Sequence, residues 1–337
     1  MKANKSMKLH FKYGLIVSIF SLLSLFSNAQ AEIKVVASIK PIHSLVSYVM
    51  DGVGTPNILV DGSSSPHSFQ LKPSHAKMLQ DADVVFWIGE DLESFLETPL
   101  SSIATNAAKI TLMELDDIEL LKFREKHIFD EHDDHEEHGE EHSDEHSEEH
   151  AEEHGEEHAE HEDHHDEHNH GEFDIHFWLD PEIAKVMVKS IARELSDIDV
   201  ANKSTYKANA LEAIGELDEL IEATKIKINK DASYVVFHDA YQYFEQRFGI
   251  EVLGALSVNP EILPGAKQLT EIREVIEHEN VKCIFSEPQF NPSIAKTIAA
   301  DMDVKAAVLD PLGAELEPGK DLYFDLIGDM ASSFESC

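Results

Sequence analysis

Cysteine is nearly absent: Cys283 and Cys337 are the only two in 337 residues. A thiolate metal cluster needs more sulfur than that, or partners close by in sequence, so the pair does not read as a metal site. Basic residues are also scarce, with 27 Lys and Arg against 66 Asp and Glu, for a net charge of -39. That balance argues against nucleic acid as a partner. From His127 to His170 there is no Lys or Arg at all. The apolar run at 14–26, GLIVSIFSLLSLF, is short for a membrane span.

What surrounds that run is the pattern of an export signal. Lys2, Lys5, Lys8 and Lys12 precede it and Ala29-Gln30-Ala31 follows it, an A-x-A cleavage site. The expected signal peptide is 1–31, cleaved after Ala31, and no cysteine adjoins the site to suggest a lipid anchor. A Gram-negative periplasm fits this best. In an exported chain an even cysteine count reads as a disulfide, here Cys283–Cys337.

The stretch without basic residues holds 14 of the 21 histidines. Its 21 acidic residues carry more than half of the net charge. Within it, EEHSDEHSEEHAEEHGEEH (140–158) places His142, His146, His150, His154 and His158 four residues apart. Histidine-rich tracts bind metal by composition. With almost no apolar residues the tract cannot bury a core, so 117–171 is expected to be disordered without metal. A mobile polymer of this kind captures ions weakly and lacks the fixed geometry of a tight site, so it reads as an auxiliary for metal capture or sensing.

On either side the chain alternates short β-branched runs with helical patterns, the signature of parallel sheets covered by helices. IKVVAS (33–38), NILV (57–60), DVVFWIG (83–89) and KITLM (109–113) are expected strands of a first α/β lobe, 32–180. Two linking helices are expected over 181–230, the second from about Asn202 to Ile228. SYVVFH (233–238), EVLGAL (251–256), KCIFSE (282–287) and KAAVLD (305–310) are expected strands of a second lobe, 231–337. Two such lobes leave a cleft where ligands bind.

Outside the acidic tract and the signal, His43, His67, His75, His176, His238 and His278 remain. His43 and His75 lie in helical patterns and His278 sits between Glu277 and Glu279, so these three read as ordinary helix residues. His67 follows a strand in the polar loop DGSSSPHSFQLKPS, His176 lies in DIHFWLDP, and His238 ends a strand. Glu287 and Asp310 also fall at strand ends, where parallel sheets carry their ligand sites. His67, His176, His238 and Asp310 are the candidate metal ligands, with Asp239 and Glu287 as candidate acceptors orienting the imidazoles. No glutamate adjoins the three histidines in sequence to serve as an obvious base, which argues against a zinc hydrolase.

Five segments in order resemble the metal-binding solute receptors of ABC importers, and among them the periplasmic zinc receptors. They are DGSSSPHSFQLKPSHAKMLQDADVVFWIGEDLESFL (61–96), HFWLDPE (176–182), VVFHDAYQYFEQRFGI (235–250), FSEPQFNPSIAKTIAADM (285–302) and VLDPLG (308–313). A His/acid-rich insertion lies between the first two. The resemblance implies two α/β lobes joined by a long rigid helix, with the metal in the cleft. It implies Zn(II) as the transported ligand and an ABC permease with its ATPase as partner, the receptor itself being a monomer. It places the ligand histidines on His67, His176 and His238, and Asp310 on the position of a carboxylate ligand in related receptors. Some zinc members carry Glu before the first ligand histidine; here that position is Pro66, which leaves Asp310 or water as the fourth ligand. Three imidazoles and an oxygen suit tetrahedral zinc, whereas manganese prefers more oxygen donors. A manganese or iron receptor of the same family, and a metal-storage or adhesin protein, are the alternatives.

Overall fold

The computed structural model describes residues 32–124, 126–129, 171–228, 230, 232–260 and 262–337. The signal peptide with its cleavage site, and the tract holding His142, His146, His150, His154 and His158, lie outside the described residues. Residues Lys34–Cys337 form one compact unit.

Two four-stranded parallel sheets follow one another in the chain. The first is built from β1 (Val35–Ile39), β2 (Asn57–Val60), β3 (Val84–Trp87) and β4 (Ala108–Thr111), in the order β2-β1-β3-β4. The second uses β5 (Ser233–His238), β6 (Glu251–Ser257), β7 (Val281–Ser286) and β8 (Lys305–Val308), in the order β6-β5-β7-β8. The inner strands β1 and β3 are fully buried, as expected of near-continuous apolar runs covered on both faces. In each sheet the first strand has its successor on one side and the third strand on the other. The crossovers diverge there, and parallel sheets open a crevice at such switch points.

In the first half α1 (Lys40–Val49), α2 (Pro73–Asp81) and α3 (Ser94–Ser102) connect the strands. Then α4 (Pro181–Ile198) and α5 (Lys203–Lys227) pack against each other between the two sheets in sequence. Pro181 opens α4 and the Asp180 side chain caps it, accepting from the Glu182 amide at 2.8 Å. The 25 residues of α5 run for about 37 Å. The second half contains α6 (Gln242–Phe248), α7 (Ala266–His278), α8 (Ser293–Asp301) and α9 (Leu322–Glu335).

Three features differ from the sequence expectation. First, α9 packs on α5 and α1 as well as on the second half. The segment leading to it ties the halves together. Lys40 Nζ donates to the carbonyls of Ala314 (3.0 Å) and Leu316 (2.6 Å), and the Tyr323 amide donates to Ser44 Oγ (2.9 Å). Second, the described part of 117–171 is ordered. Lys122 pairs antiparallel with Phe173, and Ile128 pairs antiparallel with Gly254 of β6, an edge strand. The Phe129 amide donates to the Leu253 carbonyl and the Ala255 amide to the His127 carbonyl, both at 2.9 Å. Both stems of the tract are therefore held by backbone ladders, and one of them covers an edge that would otherwise be open. Third, Arg124 between these pairings is clamped by two buried carboxylates, Asp239 and Glu245, with its guanidinium 3.7 Å from the centre of the Phe129 ring.

Cys283 in β7 and Cys337 at the chain end are joined as a disulfide, their Cα atoms 5.8 Å apart.

Candidate metal centre

His238 is the last residue of β5, the strand at the switch point of the second sheet. Its Nδ1 lies 2.9 Å from both Glu287 oxygens, just past the end of β7. A carboxylate only accepts, so Nδ1 carries a proton and Nε2 is left facing His176. His176 is fixed more locally. Its amide and its Nδ1 both meet Asp174 Oδ1, at 2.9 and 2.8 Å, in a tight Asp-x-His turn ahead of the 3-10 turn Phe177–Leu179. Asp174 is in turn held by the stem of the acidic tract, its amide donating to the Leu121 carbonyl at 2.8 Å. His67 sits in the 3-10 turn Pro66–Ser68 after β2, with its amide on Ser65 Oγ at 3.2 Å.

These three elements bring the imidazoles together. The His176 and His238 Nε2 atoms are 3.2 Å apart, and one ring nitrogen from each histidine lies within 4.8 Å of the others. Zn–N bonds of about 2.0–2.1 Å in tetrahedral geometry put two nitrogens about 3.3–3.4 Å apart. The His176–His238 pair is already at that spacing, and His67 stands within 4.8 Å of both. Among the described residues this is the one group of three or more such side chains whose ligand atoms converge. The rings line a cavity of about 10 Å³, room for roughly one atom-sized occupant.

The electrostatics separate the two buried rings. Burial, reinforced by the charge of His238, holds the His176 imidazole well below its ordinary pKa. Burial opposes protonation of His238 as well, but the Glu287 carboxylate outweighs it and raises that pKa. Burial pushes Asp174 up to about 6, so it is ionised and accepting at neutral pH.

The other expected site residues lie elsewhere. Asp310 is not in the cluster. Its Oδ1 accepts from Gln289 Nε2 (2.9 Å) and the Leu312 amide (3.0 Å), and its Oδ2 accepts from the Ala314 amide (2.6 Å), so it shapes the turn after β8. Asp239, expected to orient an imidazole, gives its carboxylate to Arg124, and Asp174 orients the ring in its place. Asp174 was legible in principle as an Asp two residues before a candidate ligand. Arg124 reaches the site region only through tertiary pairing, whereas Gln289 follows Glu287 by two residues in the turn after β7. His43, His75 and His278 stand outside the cluster, in α1, α2 and α7.

Two halves of this topology, with three histidines gathered from a strand end and two 3-10 turns, have the fold of the metal-binding solute-binding proteins. The structure is similar to a crystal structure of ZnuA with a TM-score of 0.70 at 21% identity, covering 90% of this chain and 98% of that one. It is similar to a ZnuA deletion mutant with zinc bound at a TM-score of 0.69 and 20% identity, covering 90% and 96%. In sequence it is 47% identical over 308 residues to the high-affinity zinc uptake system protein ZnuA of Brucella abortus, covering 90% of this chain and 91% of that protein. Residues 35–337 match the family model of the periplasmic zinc-uptake complex component A, and the chain belongs to that family, ZnuA.

Proposed function

We propose that this protein is the periplasmic receptor of a zinc ABC importer, capturing Zn(II) with His67, His176 and His238 and delivering it to a membrane permease driven by an ATPase. The observation that carries this reading is the 3.2 Å separation of two Nε2 atoms whose rings are each locked by a buried carboxylate. Nitrogens so placed share either a proton or a metal ion between them, and zinc binds by displacing that proton. Water takes the fourth position, since Asp310 is committed to its own turn. Nitrogen-rich donation favours zinc over manganese. The signal peptide 1–31 and a monomeric state belong to the same reading.

The reading is of a receptor and not an enzyme. Glu287, the one carboxylate lining the cavity, has both oxygens on His238 and is not placed as a general base. The sequence HEDHH at 161–165 has the His-Glu-x-x-His spacing of some zinc hydrolases, but it falls in the acidic tract, outside the described residues. That tract, with His142 to His158, serves as a weak zinc reservoir beside the tight site.

The test is competitive zinc titration of the protein with and without residues 131–170, with manganese as competitor. One tight zinc in both forms, resistant to manganese and lost in His238→Ala, is expected. Loss of the tight site on deletion would move the ligands to the tract and leave a storage protein.

A further inference from the structure

The turn after β7 supplies more than Glu287. It is set by the Phe290 amide, which donates to the Glu287 carbonyl (3.3 Å), and by the Phe290 ring, which stacks on Phe237 with centroids 5.1 Å apart and meets His238 edge-on at 5.9 Å. Between these two residues, Gln289 lines the same small cavity as the three imidazoles.

The orientation of its amide is fixed. Gln289 Nε2 donates to Asp310 Oδ1 at 2.9 Å, and a carboxylate has nothing to donate in return, so the nitrogen faces Asp310 and the oxygen faces away. Asp310 is itself immobilised by the Leu312 and Ala314 amides. Gln289 Oε1 is shielded from solvent and accepts no hydrogen bond among the described residues. A buried amide oxygen without a donor costs free energy, and proteins rarely keep one without a use for it.

We propose that Gln289 is a specificity-determining residue of the zinc site: its Oε1 accepts a hydrogen bond from the water in the fourth coordination position of the metal. This rests on the zinc-receptor reading and adds a residue to it. The neutral amide holds a neutral water without supplying a second negative ligand, which keeps the donor set rich in nitrogen and poor in charged oxygen. Hard cations such as manganese prefer the opposite balance. Asp310 then acts at one remove, as the positioning residue that turns the amide oxygen toward the metal.

The experiment uses purified protein, zinc and manganese salts, and a chromophoric chelator, on wild type, Gln289→Met, Gln289→Glu and His238→Ala. Met keeps the volume and removes the acceptor. Its zinc affinity is expected to fall about tenfold, the scale of one hydrogen bond to a charge-polarised group. Stoichiometry should stay at one, and the zinc-free protein should unfold at the same or a higher denaturant concentration. Glu offers a charged oxygen, and the ratio of zinc to manganese affinity is expected to narrow by about tenfold or more. Zinc affinity of Gln289→Met within twofold of wild type, with His238→Ala still losing the tight zinc, would overturn the role of Gln289 and leave the receptor reading standing. Should Gln289→Met fail to fold, an unchanged zinc-to-manganese ratio in Gln289→Glu overturns it equally. No tight zinc in wild type would remove the receptor reading, and this proposal with it.

Discussion

His238 Nδ1 lies 2.9 Å from both oxygens of Glu287, a contact between the ends of two neighbouring strands of one sheet. Glu287 thus fixes the tautomer that presents Nε2 to the cleft and raises the basicity of that nitrogen. Removing such a carboxylate from a metal-binding histidine typically costs about 10–100-fold in affinity. Glu287→Gln is expected to lose zinc affinity on that scale, and Asp174→Asn to do so through His176. Zinc competition titrations at neutral pH measure both. Affinities within threefold of wild type would mean that the rings are oriented by packing alone.

Proton competition follows from the same pair. Zinc binds the neutral imidazole, so below the pKa of His238 the metal must displace a proton, and affinity falls about tenfold per pH unit for each proton displaced. His238 is the ring whose pKa is raised, by Glu287 against the effect of burial, whereas His176 is held low and adds no proton near neutrality. Zinc affinity is expected to decline as pH drops below neutral. In Glu287→Gln, which lacks the charge that holds the proton, the midpoint of that decline should move to lower pH. Titrations from pH 5 to 8 with both proteins test this, and a midpoint that does not move would show that Glu287 does not control His238.

Glu93 offers a test of stability apart from metal. It is wholly buried at the strand ends of the first sheet, with Oε2 accepting from the Ile88 amide at 2.8 Å and weakly from the Gly89 amide at 3.4 Å. Burial pushes its pKa up to about 7 from 4.5. The folded state therefore holds a proton that the unfolded state has lost between those two values. The stability this group contributes is present below about pH 4.5 and declines as pH rises through about 7, by roughly 3 kcal/mol in all. Glu93→Gln keeps the acceptor for Ile88 and removes the titration. The mutant is expected to gain on wild type as pH rises from about 4.5 to 7 in urea unfolding and to keep that margin above pH 7. Parallel pH profiles for the two proteins would refute the assignment.

Much of this was legible in the sequence where hydrophobic pattern and strand ends decide the outcome. NILV and SYVVFH are strands with the bounds that their apolar runs suggest, and the second linking helix spans Lys203–Lys227 as its spacing implies. The helix Leu322–Glu335 is absent from the sequence expectation, although Leu322, Leu326, Met330 and Phe334 repeat at helical spacing. Gly328 and the run of small polar residues near the chain end dilute that signal. Asp310 shows the other limit. Its place in VLDPLG invites a ligand role, but a carboxylate at a strand end can equally cap the turn that follows, and in the structure it accepts from the backbone amides at 312 and 314. Arg124 could not be found by local pattern, because its partners Asp239 and Glu245 are 115 and 121 residues away.

The disulfide joins the last residue of the chain to β7, whose far end carries Glu287. Closing a loop with 54 residues of separation stabilises the fold by about 4 kcal/mol on the chain-entropy model. Double replacement of Cys283 and Cys337 by Ser should lower the unfolding free energy by about 2–4 kcal/mol. Tight zinc binding should persist, since the His238–Glu287 contact lies within the sheet. Loss of zinc binding in a variant that remains folded would show that α9 and its tether hold the site open.

Gly254 of β6 is where the first stem of the acidic tract crosses the sheet edge. A Cβ at this position would sit 2.5 Å from the His127 carbonyl oxygen, closer than side-chain carbons approach backbone, and 3.2 Å from Ile272 Cδ1. The antiparallel pairing of Ile128 with Gly254 therefore requires glycine. Gly254→Ala is expected to push residues 127–129 off the edge and to release the amides of Phe129 and Ala255, which bond across it at 2.9 Å. Hydrogen exchange measures this directly: protection at those two amides should fall while the central strand β5 keeps its own. The displacement also reaches Arg124, whose clamp on Asp239 and Glu245 lies just before the pairing. If the stem is what holds Asp174 and His176 in place, zinc affinity should drop alongside the protection. If protection falls and affinity does not, the Lys122–Phe173 pair between the two stems is enough to hold His176 without the contact at the sheet edge.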